Sequence, residues 1–93
     1  MLFRSEILTA NLILYPNPTT GLLNVEFENT QSGKMNLEIE NLLGQKIISK
    51  TIDVTDGKNL VQLSVKDFAD GFYLLNLQNG ERKYAVKKFM IAK

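Results

Sequence analysis

The chain has no cysteine, no histidine and no tryptophan, and only two of its 93 residues are proline. Without cysteine there is neither a disulfide framework nor a thiolate metal site, so the fold depends on packing. Without histidine the commonest general base and the commonest transition-metal ligand are both missing. Long apolar runs are also absent. No stretch reaches the ~20 residues of a membrane-spanning helix. Glu6 and Asn11 interrupt the N-terminal stretch that could otherwise pass for a signal-peptide core. No segment shows a sustained 3.6-residue apolar period, and no internal repeat is visible.

What remains is the composition of one small globular domain: 44% hydrophobic and 23% charged residues, with five Phe and three Tyr. A formal net charge of +1 argues against a dominant electrostatic partner such as duplex nucleic acid. The charge is unevenly placed. Residues 1–81 hold six basic and ten acidic side chains, whereas Arg82, Lys83, Lys87, Lys88 and Lys93 face no acid in the last twelve residues. Residues 1–10 are expected to be the remnant of a linker from a longer parent chain, and residues 11–93 the domain.

Period-two alternation recurs in seven short runs and predicts an all-β fold, a seven-stranded antiparallel immunoglobulin-like β-sandwich. The first run, Asn11 to Tyr15, ends at Pro16-Asn17-Pro18-Thr19-Thr20-Gly21, where proline fixes φ and Gly21 offers a positive one. Leu23, Val25 and Phe27 then share one face, as do Met35, Leu37 and Ile39. A turn at Asn41-Leu42-Leu43-Gly44-Gln45 leads into a strand to Asp53 anchored by Ile47, Ile48 and Ile52. Val61, Leu63 and Val65 form the next inward set. Lys66 to Gly71 allows at most one turn of 3₁₀ before Tyr73, Leu75 and Leu77. Asn79-Gly80 is a strong hairpin signal. In the last strand, Arg82 to Ile91, Tyr84 and Val86 read as inward and so do Phe89 and Ile91, which implies a β-bulge near Lys87-Lys88.

No catalytic constellation emerges, and no cofactor or metal is implied. Asp53, Asp56, Asp67 and Asp70 lack EF-hand spacing and read as turn residues. Glu26, Glu28, Glu38 and Glu40 could pair as glycosidase carboxylates if their strands were neighbours, but read as solvated outer-face residues. Ser49 and Lys50 are adjacent on a strand and point to opposite faces. Gly71-Phe72-Tyr73 matches the corner at which sandwich folds tie a tyrosine hydroxyl to upstream backbone. The residues alone leave open an adhesion or carbohydrate-binding module of immunoglobulin-like type, although no tryptophan platform is available.

Four landmarks then occur in order: Tyr15-Pro16-Asn17-Pro18-Thr19-Thr20-Gly21, Asn41-Leu42-Leu43-Gly44-Gln45, Gly71-Phe72-Tyr73-Leu74-Leu75 and Lys87-Lys88-Phe89. Together they resemble the type A C-terminal sorting domain of type IX secretion cargo. The resemblance implies an address that directs an upstream cargo domain through the periplasm and across the outer membrane of a Gram-negative bacterium to the cell surface. The implied partners are the type IX translocon and sortase-like attachment proteins, the latter usually removing the domain; neither nucleic acid nor direct membrane insertion is involved. By the same resemblance Lys87, Lys88, Phe89 and Lys93 fall where the family concentrates its recognition signal. Tyr15, Pro16, Asn17, Pro18, Gly21, Gly44, Gly71 and Tyr73 are the expected determinants of the fold.

Overall fold

The computed structural model describes residues 9–30, 32–79 and 82–93. Seven strands are present among them: β1 (Thr9–Tyr15), β2 (Leu22–Asn29), β3 (Gly33–Asn41), β4 (Lys46–Val54), β5 (Gly57–Ser64), β6 (Gly71–Asn79) and β7 (Arg82–Ile91). They form one sheet in the order β1-β2-β5 and a second in the order β4-β3-β6-β7, every neighbouring pair antiparallel.

Alternation explains the layering. On β2, Leu23, Val25 and Phe27 are fully buried and the residues between them half-exposed, so every second side chain enters the space between the sheets. Met35, Leu37 and Ile39 on β3 and Tyr73, Leu75 and Leu77 on β6 close that space from the other side. Phe89 and Ile91 complete it from β7. Burying a side chain such as Phe27 or Phe89 is worth about 1.5–3 kcal/mol over leaving it in water, and this apolar layer offsets the chain entropy without any covalent brace.

Several sequence expectations shift at the sheet edges. Of the three isoleucines expected to anchor β4, Ile52 is buried, Ile48 packs at the core margin and Ile47 is 43% exposed. Ile39 pairs with Ile48 and Glu40 with Lys46, so Ile47 is the extra residue of an irregular step on an edge strand. The slip on β7 is real but lies upstream of the expected place. Leu77 pairs with Ala85 and Gln78 with Lys83, leaving Tyr84 over. From there the inward set is Ala85, Phe89 and Ile91, and Val86, expected inward, is 50% exposed. The Tyr84 side chain and Gly80 of the expected Asn79-Gly80 turn lie outside the described residues; Asn79 pairs with Arg82. β1 starts at Thr9, two residues before the expected start. Between β5 and β6 there is a bent turn with one i-to-i−3 bond, Phe68 N–H to the Val65 carbonyl at 3.1 Å.

The antiparallel registers sort the connections into two ends. The β1–β2 loop, the β3–β4 turn, the β5–β6 turn and Lys93 gather at one end. The start of β1 and the β2–β3 and β4–β5 connections lie at the other.

Candidate functional site

At the first of these ends the loop after β1 folds onto the outer edge of β7. The Asn17 side-chain oxygen accepts the Met90 N–H at 2.9 Å. Thr19 N–H donates to the Met90 carbonyl at 2.9 Å, and Ala92 N–H donates to the Thr19 carbonyl at 3.0 Å. Thr19 and Ile91 form a parallel bridge, so the loop acts as a one-residue strand on β7. Thr19 is fully buried, and its hydroxyl donates to the Leu22 carbonyl at 2.6 Å while accepting Gly21 N–H at 3.3 Å. Pro16 and Pro18, both preceded by cis peptide bonds, stand exposed on either side of Asn17. Gly21 takes no positive φ; its carbonyl instead receives Val65 N–H at 2.8 Å and ties the loop to the start of the β5–β6 turn.

Tyr15 opens the loop from the outer face of the first sheet. Its hydroxyl donates to Glu26 at 3.0 Å and its carbonyl accepts from the Asn24 side chain at 3.2 Å. The hydrogen bond to the Glu26 carboxylate raises the phenol above the ordinary tyrosine value, helped by slight desolvation and by the carboxylate's charge.

The expected tyrosine corner is present. Tyr73 is buried, and its hydroxyl donates to the Ala69 carbonyl, four residues upstream, at 2.6 Å. Its ring lies between those of Phe68 and Phe89, with centroids 5.7 and 5.8 Å away. Gly44 has φ +86°, a value that favours glycine, in a turn framed by Asn41, whose side-chain oxygen accepts Leu43 and Gln45 N–H at 2.9 and 3.0 Å. Leu42 and Leu43 are exposed at its tip.

The four residues of the expected recognition signal do different things. Phe89 is 1% exposed and belongs to the core. Lys88 points outward, its Nζ 4.8 Å from the centroid of the Phe72 ring. Lys87 pairs with the fully buried Leu75, which places it on the core side of the edge strand, yet it remains exposed. Lys93 folds back: its Nζ donates to the Lys66 and Phe68 carbonyls, and its N–H to Asp70 at 3.2 Å. Phe72 was not picked out as a partner of Lys88, because only the β6–β7 register brings the two together.

Comparison with solved structures finds β-glucosidase 3B from Thermotoga neapolitana in complex with glucose, at 14% identity and a TM-score of 0.64 over 95% of this chain. It also finds the β-glucosidase from Kluyveromyces marxianus, at 13% identity and 0.63 over 95%. The chain spans 16% and 14% of the length of those two enzymes, and at such identities the likeness concerns the fold alone. A comparison with curated proteins found no match. Residues 13–92 match the family described as the secretion system C-terminal sorting domain. The chain belongs to this family, the sorting signals of type IX secretion.

A sorting domain implies a cargo chain handled by type IX machinery and export to the cell surface or beyond. In this sorting domain the glutamates are not assembled for hydrolysis: Glu26 and Glu28 lie on β2 and Glu38 and Glu40 on β3, in different sheets. Glu26 and Glu38 serve as counter-ions instead, to Lys58 at 3.6 Å and Lys46 at 3.4 Å. The sorting domain leaves Lys87 and Lys88 without an ion-pair partner among the described residues.

Proposed function

We propose that this chain is the address of a secreted protein, read by the type IX translocon while it carries an upstream cargo through the periplasm and across the outer membrane. Surface attachment proteins of sortase type then act on it, removing the domain upstream of its folded body, in or near residues 1–10. The observation that carries the reading is the family match over residues 13–92, which takes in both the latching loop and β7. We further read the two sheets as an immunoglobulin-like sandwich, supported by the four-plus-three strand order and the Tyr73 corner.

Recognition is assigned to Lys87 and Lys88, which are exposed and have no ion-pair partner among the described residues, with Phe89 and Lys93 holding the strand that displays them. A sugar-binding module would call for neighbouring exposed rings. Tyr15 and Phe72, the exposed aromatic residues among those described, lie on the outer faces of opposite sheets.

Deleting Lys88 to Lys93 is a poor test, because it also removes Phe89 and Ile91 from the core. The informative test is a fluorescent protein fused upstream of the domain and carrying Lys87→Ala with Lys88→Ala. The variant is expected to keep its melting temperature within a few degrees, since surface changes rarely cost more than about 0.5 kcal/mol. Most of the fusion should then stay in the periplasm. Normal delivery to the surface by the folded variant overturns the assignment.

A further inference from the structure

Among the described residues the outer edge of β7, which β1 approaches, is hydrogen-bonded only at its end. Met90 directs its N–H and carbonyl away from β6, to Asn17 and Thr19, so by the two-residue period Lys88 and Val86 present their backbone groups to the same side. No partner meets those groups among the described residues. The latch ends at Met90, so Val86 to Lys88 form an exposed stretch without backbone partners on that side among the described residues, and Met90 sets a fixed stop for an incoming strand.

Lys87 sits in the middle of this stretch on the core side. A strand that paired here and placed an apolar residue beside Lys87 would bury an ammonium group without a counter-charge, which is a recognised barrier to edge pairing. A carboxylate at that position reverses the sign of the interaction. On the outer side, Lys88 over Phe72 adds a second cation beside Val86 and Met90. A second copy of this chain is poorly equipped to answer. Its edge strands β1, β5 and β7 contain no acid, and Asp53 of β4 is held by Lys34 at 2.6 Å.

We propose that Val86–Lys88 is a docking edge for an extended segment of a partner protein that carries Asp or Glu opposite Lys87, and that Lys87 selects this partner by rejecting uncharged strands. The inference rests on the sorting-domain reading only for where such a partner is found, among the secretion machinery.

The test uses the full chain, labelled with ¹⁵N, and a disulfide-closed hairpin peptide whose outer strand alternates Thr and Val around one central Glu; a control peptide has Lys in place of that Glu. The Glu peptide is expected to slow amide exchange at Val86 and Lys88 by roughly tenfold or more, and the Lys peptide to leave it unchanged. In Lys87→Glu the preference should reverse. Lys87→Gln, a milder change, should remove it while the Met90 and Ala92 amides stay protected. Equal protection by both peptides, protection confined to β4, or an unchanged preference in either variant overturns the proposal. Export of the fusion separates the two readings. If the peptide preference reverses but Lys87→Glu cargo still reaches the surface, the docking edge stands and recognition at β7 falls. If export fails in the lysine variants and no peptide preference exists, the sorting role stands and this inference falls.

Discussion

The Met90 amide donates to the side chain of Asn17 at 2.9 Å, joining positions 73 residues apart in the chain. The loop after the first strand and the end of the last strand therefore form one structural unit, and the loop motif and the terminal motif, far apart in sequence, meet in space.

Asn17→Ala removes that bond and leaves the Met90 N–H to water. A loss of about 0.5–1.5 kcal/mol is expected in urea unfolding, with faster hydrogen exchange at Met90 and little change at Leu75 or Leu77. An unaltered Met90 exchange rate would mean that Thr19 alone holds the latch.

Phe89→Ala opens a cavity between the sheets beside the Tyr73 ring and is expected to cost about 3–5 kcal/mol in chemical denaturation. Lys93→Ala acts elsewhere. It should speed exchange of amides in the turn over residues 66–70 while costing less than about 1 kcal/mol, since the ammonium group is exposed. If Lys93→Ala blocks export with the turn undisturbed, the terminal ammonium is itself read by the machinery.

Asn76 lies on the outer face of β6, paired across strands with Glu38 and Val86, yet it is 1% exposed and its side-chain nitrogen has no hydrogen-bond partner among the described residues. Replacing it with Leu, of similar shape, relieves an unsatisfied buried donor and is expected to stabilise the domain by about 1 kcal/mol in thermal or urea unfolding. A destabilised Asn76→Leu would show that the amide has a partner in solution.

Tyr15 supplies a pH-dependent increment. Its folded-state pKa is raised by the hydrogen bond to Glu26, so the phenol holds its proton more tightly in the folded chain than in the unfolded one. The stabilisation is complete below the ordinary tyrosine pKa and is lost as pH rises through the folded value. Absorbance titration of the protein minus Tyr15→Phe isolates this midpoint, and Glu26→Gln is expected to lower it.

Most of the framework was legible in the sequence, because strands with one buried face write their position as alternation. β2, β3 and β6 kept their inward sets, being central strands packed on the core, although Glu38 of β3, read as solvated, and Asn76 of β6 are buried on the outer face as well. Edge strands were harder. β4 and β7 each carry an irregular step, and a one-residue slip exchanges the two faces, which is why Ile47 and Val86 were misplaced. The Tyr73 corner was visible as a motif because its bond is local. The latch was not, since nothing in Pro16-Asn17-Pro18-Thr19 states which distant amide Asn17 will meet. The basic tail was visible as charge, but its division into a core ring, an outward cation, an edge lysine and a folded-back terminus needed the register.

Phe89 and Ile91 fill the core from the last strand, and the loop near the start of the chain has nothing to grip until Met90 and Ala92 arrive. Emerging from the ribosome in order, the first six strands face an unfilled cleft, and synthesis must run past Ile91 before the two sheets can shut. A polypeptide broken off earlier keeps that cleft open, so a finished fold reports that translation got that far.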